Sequence, residues 1–318
     1  MPKQVLFVTR RLPASIEALA GQEFDARLTP SDVAITDLAA RAEGADAVLC
    51  CPGDMLDAKT IATLPASVKV IGTFSVGFDH IDVAALNARG IKLCNTPDVL
   101  SVATAECAML LIMIAARRAG EGERLVRSGK WEGWAPTQLL GTQVSGRRLG
   151  IFGMGRIGRE IARMARGFGM EIHYRDMARL PPDLEHGAIF HDNDDSFLPI
   201  CQVLSLNAPG GKGTMHWLNN DRIGKLPPGA VVVNAARGTL VDDDALIGAL
   251  RGGHIAAAGL DVYNGEPRLN PDYLALENVV LLPHLGSATT ETREAMGRIV
   301  LSGISTILAG ETPSNLVA

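Results

Sequence analysis

The chain has 318 residues, of which 47% are hydrophobic and 20% are charged, and its formal net charge is −5. This length and composition predict a soluble protein of two domains with sizeable cores, and the acidic balance disfavours a nucleic-acid or anionic-membrane surface. The five cysteines form an odd set without CxxC spacing, which favours buried free thiols in a reducing compartment. The N-terminal apolar run is too short for a signal peptide, so we expect a cytoplasmic protein.

The first third of the chain alternates between strand-like and helix-like segments. Short apolar runs, bounded by Gly, Pro, Asp or Asn, are separated by amphipathic stretches. The runs are Val5–Val8, Ala47–Cys50, Val68–Thr73 and Ile91–Asn95, and the stretches include Ser31–Glu43 and Ile81–Arg89. Strands that alternate with helices predict a parallel sheet with helices on both faces.

An apolar helix and a tryptophan-bearing loop follow this first part. The helix candidate is Val102–Ala116, which is shorter than the ~20 residues that span a bilayer, so we expect a buried helix. The segment Ser128–Pro136 contains two Gly, one Pro and both Trp131 and Trp134. This composition predicts a loop that packs either on a partner subunit or on the protein's own core.

The alternation of strands and helices then resumes and continues towards the C-terminus. About six strands are predicted, the count of a complete dinucleotide-binding fold. These runs are Leu149–Phe152, Glu171–Tyr174, Val203–Asn207, Ala230–Asn234, Ala257–Val262 and Val279–Leu282. The stretch Thr289–Leu308 is predicted to be an amphipathic helix.

A glycine fingerprint, Gly153-Met-Gly-Arg-Ile-Gly158, follows the first of these runs and begins the helix-like segment Arg156–Phe168. Gly153 permits a tight turn, Gly155 lets the backbone approach a pyrophosphate, and Gly158 lets helix and strand pack closely. The N–H groups at the start of the helix would then face the phosphates. The fingerprint and its context predict a dinucleotide site.

The residue that would contact the adenosine ribose is Asp176, which comes 18 residues after Gly158 at the end of the next strand. A carboxylate there accepts hydrogen bonds from both ribose hydroxyls and repels a 2′-phosphate, which favours NAD. Arg175 and Arg179 could each pair with such a phosphate. The sequence therefore predicts NAD as cofactor and leaves NADP possible.

Three chemically suited side chains follow strand-like runs downstream of the fingerprint. They are Arg237 after Ala230–Asn234, Glu266 after Ala257–Val262, and His284 after Val279–Leu282. Ligands of doubly wound sheets bind outside the carboxyl ends of the strands, so all three are expected on the cofactor side.

The three side chains suit hydride transfer to a small carboxylic acid. The guanidinium of Arg237 can hold a substrate carboxylate and polarise the neighbouring carbonyl group. His284 can give a proton to the carbonyl oxygen as hydride arrives, and remove it in the reverse reaction. Glu266 can hydrogen-bond His284, orient it and raise its pKa. We assign no metal site.

At these residues the chain resembles the D-isomer-specific 2-hydroxyacid dehydrogenase family, over nearly its whole length. Further motifs of the resemblance include Phe74-Ser-Val-Gly-Phe-Asp-His-Ile-Asp82, Asn95-Thr-Pro-Asp-Val-Leu100, Ala103-Thr-Ala-Glu106 and Gly238-Thr-Leu-Val-Asp242. Within the family it looks most like the glyoxylate/hydroxypyruvate reductases, through Lys130-Trp-Glu-Gly-Trp-Ala-Pro136 and Gly141. The resemblance implies a reductase that converts a 2-ketoacid such as glyoxylate or hydroxypyruvate to the D-2-hydroxyacid.

The resemblance also implies an α/β fold of two doubly wound parallel-sheet domains. A Rossmann dinucleotide-binding domain, residues 100–287, would be inserted into a flavodoxin-like substrate domain, residues 1–99 and 288–318. Two such chains would form a homodimer. Further site residues implied are Val76 and Gly77 for the substrate carboxylate, Thr104 and Asp261 for the nicotinamide end, and Arg156, Ile157, Asn207 and Ala235 along the dinucleotide.

Two features separate this chain from some relatives. Asp176 followed by Met177 looks like the NAD-using formate dehydrogenases, but those enzymes carry Gln where this chain has Glu266, so formate activity is disfavoured. The segment Asn207-Ala-Pro-Gly-Gly-Lys-Gly-Thr214 differs from the family's usual His-x-Pro-Leu-Thr pattern. A second function remains open, because some family members act as NAD-sensing corepressors, which would make the chain a binding module without physiological turnover.

Overall fold

The computed structural model describes residues 2–318. It contains two compact units, one formed by Met1–Leu100 with Ala288–Ala318 and the other by Ser101–Ser287. We call the first the split unit and the second the central unit. Each has its own parallel sheet with helices on both faces, which confirms the predicted α/β class of two parallel-sheet domains.

The first hundred residues form a five-stranded parallel sheet in the order β2-β1-β3-β4-β5, which is the flavodoxin-like order. The strands are β1 Val5–Val8, β2 Asp25–Arg27, β3 Ala47–Cys50, β4 Val70–Thr73 and β5 Lys92–Cys94; the helices are α1 Ala14–Glu23, α2 Leu38–Arg41, α3 Ala58–Thr63 and α4 Val83–Ala88. All four predicted strands are confirmed, with ends that differ by at most two residues.

Two local predictions in this part were wrong. Strand β2 was missed, because its three residues are polar or half-exposed and show no apolar run. The predicted helical stretch Ser31–Glu43 is helical only in α2. The backbone of Asp37 is left-handed at the start of this helix, with φ of 58°. The residues before it are mostly exposed bends and irregular backbone, so the helix does not extend towards Ser31.

The central unit contains a seven-stranded parallel sheet in the order β12-β11-β10-β9-β6-β7-β8. Its helices are α5 Ser101–Ala116, α6 Ala119–Arg127, α7 Arg156–Arg166, α8 Pro182–Glu185, α9 Asp194–Phe197, α10 Asn220–Lys225 and α11 Asp243–Arg251; its strands are β6 Arg148–Phe152, β7 Glu171–Arg175, β8 Ile189–His191, β9 Val203–Leu206, β10 Ala230–Asn234, β11 Ile255–Leu260 and β12 Val279–Leu281. In the sheet, the six consecutive strands β8, β7, β6, β9, β10 and β11 follow the classical dinucleotide-binding order, and β12 extends the sheet. The predicted count of six was wrong by one, because β8 is a three-residue edge strand whose side chains are half-buried or exposed.

Helix α5 packs on the sheet of the central unit, as predicted for a buried helix. A Cβ built at Gly259 of β11 would lie 2.9 Å from the Cβ of Leu111, so glycine at this position permits the close contact between helix and strand. Leu111 and Ile112 are fully buried in this core. Within residues 2–318, no helix combines the length and apolar character needed to cross a membrane.

The last helix, α12 Thr290–Leu308, completes the split unit. The hydroxyl of Thr289 accepts a hydrogen bond from the N–H of Thr292 and caps its start. Its buried side chains Val300 and Ile304 pack over Gly72 of β4, where an added Cβ would lie within 2.7 Å of both. Tight packing on a glycine therefore holds this helix on the sheet.

The topology of the central unit brings three chain segments to one place. Strands β10, β11 and β12 are neighbours in the sheet and run parallel. The segments that leave their carboxyl ends contain Arg237, Glu266 and His284, respectively. Because parallel neighbours end at the same edge of a sheet, these three side chains arise side by side.

Candidate active site

The turn that contains Arg237 is shaped by Asn234, the last residue of β10. Asn234 is fully buried, its side-chain amide donates to the carbonyl of Arg237 at 2.9 Å, and its amide oxygen accepts from the N–H of Ala236 at 3.0 Å. These two bonds fix the turn in one conformation and project the half-buried Arg237 from the sheet edge. This role of Asn234 was not predicted from the sequence, although an Asn at the end of an apolar strand was the available signal.

The next residue, Gly238, brings the Arg237 turn against the segment that follows β11. A Cβ built at Gly238 would lie 1.8 Å from the carbonyl carbon of Tyr263, closer than any two unbonded atoms can approach. The N–H of Tyr263 donates to Oε1 of Glu266 at 2.9 Å, and its hydroxyl donates to the carbonyl of Leu282 at 2.7 Å. Tyr263 therefore ties together the segments of all three strands, a role that sequence reasoning missed.

Glu266 and His284 are directly hydrogen-bonded. Nδ1 of His284 lies 2.7 Å from Oε2 of Glu266, and both side chains are partly exposed. Burial by itself would raise the pKa of the Glu266 carboxyl. The hydrogen bond and charge of His284, the N–H of Tyr263 and the charge of Arg237 outweigh burial and lower that pKa below its usual value. The carboxyl is consequently ionised at neutral pH, and the imidazole is anchored through Nδ1, with Nε2 on its opposite side.

Asp261 holds the loop from which His284 projects. Its fully buried carboxylate accepts the N–H groups of Leu285 at 2.6 Å and Gly286 at 2.7 Å, and its carbonyl accepts the N–H of His284 at 2.9 Å. Burial raises the pKa of Asp261, while the two N–H groups act in the opposite direction. His284 has a φ of 57°, which is uncommon for a residue with a side chain. The hydrogen bonds to Asp261 therefore hold the catalytic candidate in a conformation it would rarely adopt alone.

Thr104 reaches the same place from helix α5. It is buried, and a Cβ built at Gly286 would lie 3.3 Å from both the Cγ2 of Thr104 and the Oδ2 of Asp261. The structure thus brings together two residues that the resemblance assigned to the nicotinamide end of the cofactor.

The glycine turn has the geometry that a dinucleotide requires. Gly153 has a φ of 94°, and a Cβ there would lie 2.6 Å from the N of Ala208. A Cβ at Gly158 would lie 2.3 Å from the carbonyl oxygen of Gly153, so helix α7 could not approach the turn with a larger residue. By contrast, a Cβ built at Gly155 would have no described atom within 4 Å apart from those of the glycine itself and its two chain neighbours. The open side of the turn is therefore at the glycine that must admit a pyrophosphate.

The start of α7 also suits an anion. Its first residues are Arg156 and Ile157, and among residues 2–318 no side chain caps the helix at Gly155. The N–H groups of a first helical turn have no partner within the helix and attract negative charge. The residues present at this turn therefore fit the phosphates of a dinucleotide.

Asp176 lies directly beside the glycine turn. Its Oδ2 accepts the N–H of Met154 at 2.7 Å, and its Oδ1 accepts the N–H of Met177 at 2.7 Å. Asn207 and Ala235, at the ends of β9 and β10, belong to the same edge, and the N–H of Asn207 donates to the carbonyl of Phe152 at 2.7 Å. The candidate cofactor residues are therefore distributed along one sheet edge.

Val76 and Gly77, the candidate substrate residues outside the central unit, lie in the loop after β4 of the split unit. The side-chain amide of Asn95 donates to the carbonyl of Val76 at 2.9 Å, and the hydroxyl of Ser75 donates to the carbonyl of Gly77 at 2.6 Å. One carbonyl group thus accepts from the same loop and the other from the residue that follows β5, and the two bonds fix the backbone of the loop.

Comparison with known proteins agrees with this geometry. The family model of the D-isomer specific 2-hydroxyacid dehydrogenase, NAD binding domain, matches residues 109–286. A glycerate dehydrogenase from Hyphomicrobium methylovorum is 42% identical over 322 aligned positions, which cover 100% of both chains. The chain belongs to the D-isomer-specific 2-hydroxyacid dehydrogenase family.

Solved structures share the fold over the same length. One from Polaromonas sp. JS6 66, assigned to the same family, superimposes with a TM-score of 0.95 at 50% identity and covers 100% of both chains. An NADPH-dependent glyoxylate/hydroxypyruvate reductase from Sinorhizobium meliloti, solved with NADP and malonate, gives a TM-score of 0.87 at 30% identity, over 99% of this chain and 97% of that one. The protein is therefore an NAD(P)-dependent oxidoreductase of this family.

The contact at Gly238 generates a test of the site. Gly238→Ala should lower kcat/KM by on the order of 10², because its Cβ must displace the backbone at Tyr263 and thereby misplace both Arg237 and Glu266. Initial rates and a thermal melt measure the effect. Gly224→Ala in α10 is the matched control, since its Cβ would meet no described atom within 4 Å beyond its chain neighbours and the backbone of its own helix, and it should leave the rate unchanged. Wild-type kinetics in Gly238→Ala would contradict the packing described.

Proposed function

We propose that the protein reduces a small 2-ketoacid to the D-2-hydroxyacid with NADH, and that glyoxylate or hydroxypyruvate is the substrate. The observation that supports this most is the convergence of Arg237, Glu266 and His284 from three neighbouring strands. A cationic fork, an ionised carboxylate and an imidazole are the groups that reduction of a carboxylate-bearing ketone needs.

The choice of substrate is supported by the names of relatives. The glycerate dehydrogenase of Hyphomicrobium methylovorum and a glyoxylate reductase of Thermococcus onnurineus, 38% identical, both cover nearly the whole chain. Glycerate is the product when the ketone of hydroxypyruvate is reduced, and glyoxylate is the corresponding two-carbon acid. Each is small and carries a carboxylate beside its carbonyl group.

Arg237 binds and orients the substrate in this mechanism. Its planar guanidinium can donate two parallel hydrogen bonds to the carboxylate, which places the adjacent carbonyl group and withdraws electron density from it. Asn234 and Gly238 set the position of the guanidinium through the turn they form. Val76 and Gly77 remain proposed substrate-binding residues of the split unit.

His284 moves the proton. With Nδ1 held by Glu266, Nε2 donates a proton to the carbonyl oxygen as the carbon accepts hydride, and takes it back in the oxidation direction. The ionised Glu266 holds the ring in the orientation from which it transfers the proton. The nicotinamide, when bound, supplies the hydride.

The cofactor would be held along the sheet edge of the central unit. Its phosphates would face the glycine turn and the first turn of α7, and its nicotinamide end would face Thr104 and Asp261. The Asp176 carboxylate beside Gly153 suits the ribose hydroxyls of NADH and opposes a 2′-phosphate, which supports the proposed preference for NADH over NADPH.

Replacement of Arg237 tests the proposal. Arg237→Ala should lower kcat/KM for glyoxylate and hydroxypyruvate by on the order of 10³ or more, because a charge-assisted contact in the site is lost. Arg237→Lys should recover part of this loss, since it keeps the charge without the planar fork. Loss of NADH absorbance measures both rates.

The control for these variants is Arg251→Ala, which removes an exposed arginine paired with Asp272 in the same unit. It should retain full activity, because an exposed ion pair contributes little. Near-normal turnover by folded Arg237→Ala would refute the proposed function, and so would the absence of reduction of every 2-ketoacid tried.

We further propose that the protein is a homodimer. Large apolar side chains are exposed on α5 and on the segment after α6: Leu110 is 50% exposed, Trp131 51%, Trp134 82% and Leu140 66%. The exposure of Trp134 argues against the alternative in which this segment covers the chain's own core. Exposed side chains of this size favour burial against a second surface, and a two-fold axis would let the same surface cover itself.

Light scattering at micromolar concentration tests the dimer, with twice the mass of the chain as the expected result. Leu110→Glu should reduce the mass towards that of one chain, because an unpaired charge in an apolar interface is costly. Val33→Glu, at a 70% exposed position in the split unit, is the matched control and should stay dimeric. A monomeric wild-type protein would contradict the proposal.

A further inference from the structure

A buried carboxylate holds an arginine that lies three residues beyond Asp176. Glu185, at the end of α8, is only 5% exposed, and its Oε1 accepts from Nε of Arg179 at 2.8 Å. Its Oε2 accepts from a terminal nitrogen of the same guanidinium at 3.0 Å. The contact is therefore bidentate, the strongest and most directional pairing of these two groups.

Tyr174 fixes the carboxylate and the loop together. Its fully buried hydroxyl donates to Oε1 of Glu185 at 2.6 Å and accepts the N–H of Leu180 at 2.9 Å. Burial, together with the hydrogen bond to Glu185, raises the pKa of Tyr174 to about 12, so it remains a donor at neutral pH. The hydrogen bonds of Arg179 and then Tyr174 lower the pKa of Glu185, which stays ionised. The guanidinium of Arg179 is thus neutralised and directed towards α8.

The second arginine near the ribose position is also engaged. A terminal nitrogen of Arg175 donates to the carbonyl oxygen of Asp176, and its Nε lies 3.6 Å from a carboxylate oxygen of Asp194. Asp194 in turn accepts from Arg222 at 2.6 Å. Arg175 and Arg179, the two arginines nearest to Asp176 in the sequence, are therefore each paired with a carboxylate of the same unit.

We propose that Glu185 is a specificity-determining residue: by holding Arg179 against α8 it withholds that guanidinium from the 2′-phosphate of NADP. Asp176 repels the phosphate, and Glu185 prevents Arg179 from compensating for this repulsion. Glu185 acts through Arg179 and does not touch the cofactor, so it is a positioning residue. The inference rests on the proposed preference for NADH and adds a second determinant to it.

Substitution of Glu185 gives the first test. Glu185→Gln keeps the shape of the side chain and removes its charge, which frees the guanidinium to pair with a phosphate. We expect kcat/KM with NADPH to rise at least about tenfold, the effect of one charge-assisted hydrogen bond, and kcat/KM with NADH to stay within about twofold. A variant in which both values fall together, with a lower melting temperature, would show a structural role alone and overturn the inference.

Arg179→Gln keeps the inference testable even if Glu185→Gln folds poorly. As a single substitution it should leave kcat/KM with NADPH and with NADH within about twofold of the wild-type values, because the guanidinium is already held by Glu185. In the Glu185→Gln background it should abolish the gain with NADPH. A large loss of NADPH use in the single Arg179→Gln variant would show that Arg179 already binds the phosphate, which contradicts the proposal.

A binding measurement provides a readout that is independent of turnover. Calorimetry with adenosine 2′,5′-bisphosphate and with AMP compares ligands that differ in the 2′-phosphate. Glu185→Gln should tighten binding of the bisphosphate at least about tenfold and leave AMP unchanged. The matched control is Glu160→Gln, which removes the partner of Arg163 on α7 and should change neither affinity.

Measurements on the wild-type protein and on Asp176→Asn separate failure of this inference from failure of the proposed function. If wild-type protein prefers NADPH, the proposed cofactor preference is wrong, whatever Glu185→Gln does to bisphosphate binding. Asp176→Asn should increase NADPH use by removing the repulsive charge. A gain in Asp176→Asn with none in Glu185→Gln, in either rate or binding, would assign discrimination to Asp176 alone and overturn the role of Glu185.

Discussion

The hydrogen bond between Nδ1 of His284 and Oε2 of Glu266 is the interaction on which the proposed chemistry depends, because it anchors one ring nitrogen and leaves the other to transfer a proton. Its two partners come from loops after neighbouring strands, and each loop is independently fixed. Asp261 binds the backbone of the His284 loop, while Tyr263 binds Glu266 and the end of β12. The buried carboxylate of Asp261 and the half-buried Tyr263 thus provide the rigidity that proton transfer requires.

The cofactor half of the site depends on a different constraint, the close approach of backbone segments. Gly153 and Gly158 stand where any side chain would collide with main-chain atoms, whereas Gly155 faces open space. Gly153 and Gly158 therefore build the turn, and Gly155 leaves room for the ligand. Asp176, which follows β7, then fixes this turn by accepting the N–H of Met154, so the residue proposed to bind the ribose also holds the glycine turn in place.

How much of this could be read from the sequence depends on how local each signal is. Apolar runs located most strands within two residues, and the positions of Arg237, Glu266 and His284 just beyond such runs placed them on one sheet edge. The short strands β2 and β8 lack such runs and were missed. The functions of Asn234, Tyr263 and Glu185 were also missed, because each depends on a partner whose position is decided by tertiary packing and local turn conformation. Their residue types alone are equally suited to ordinary loops.

If Glu266 acts through His284, the two side chains are coupled in catalysis, and a double-mutant cycle in kcat/KM measures this coupling. Glu266→Gln alone should lower kcat/KM about tenfold or more, because the ring loses its anchoring charge. In the His284→Ala background the same substitution should change kcat/KM by less than about twofold, since the group it orients is gone. An undiminished loss in the His284→Ala background would show that Glu266 acts independently of the imidazole, and would refute its proposed role in orienting His284.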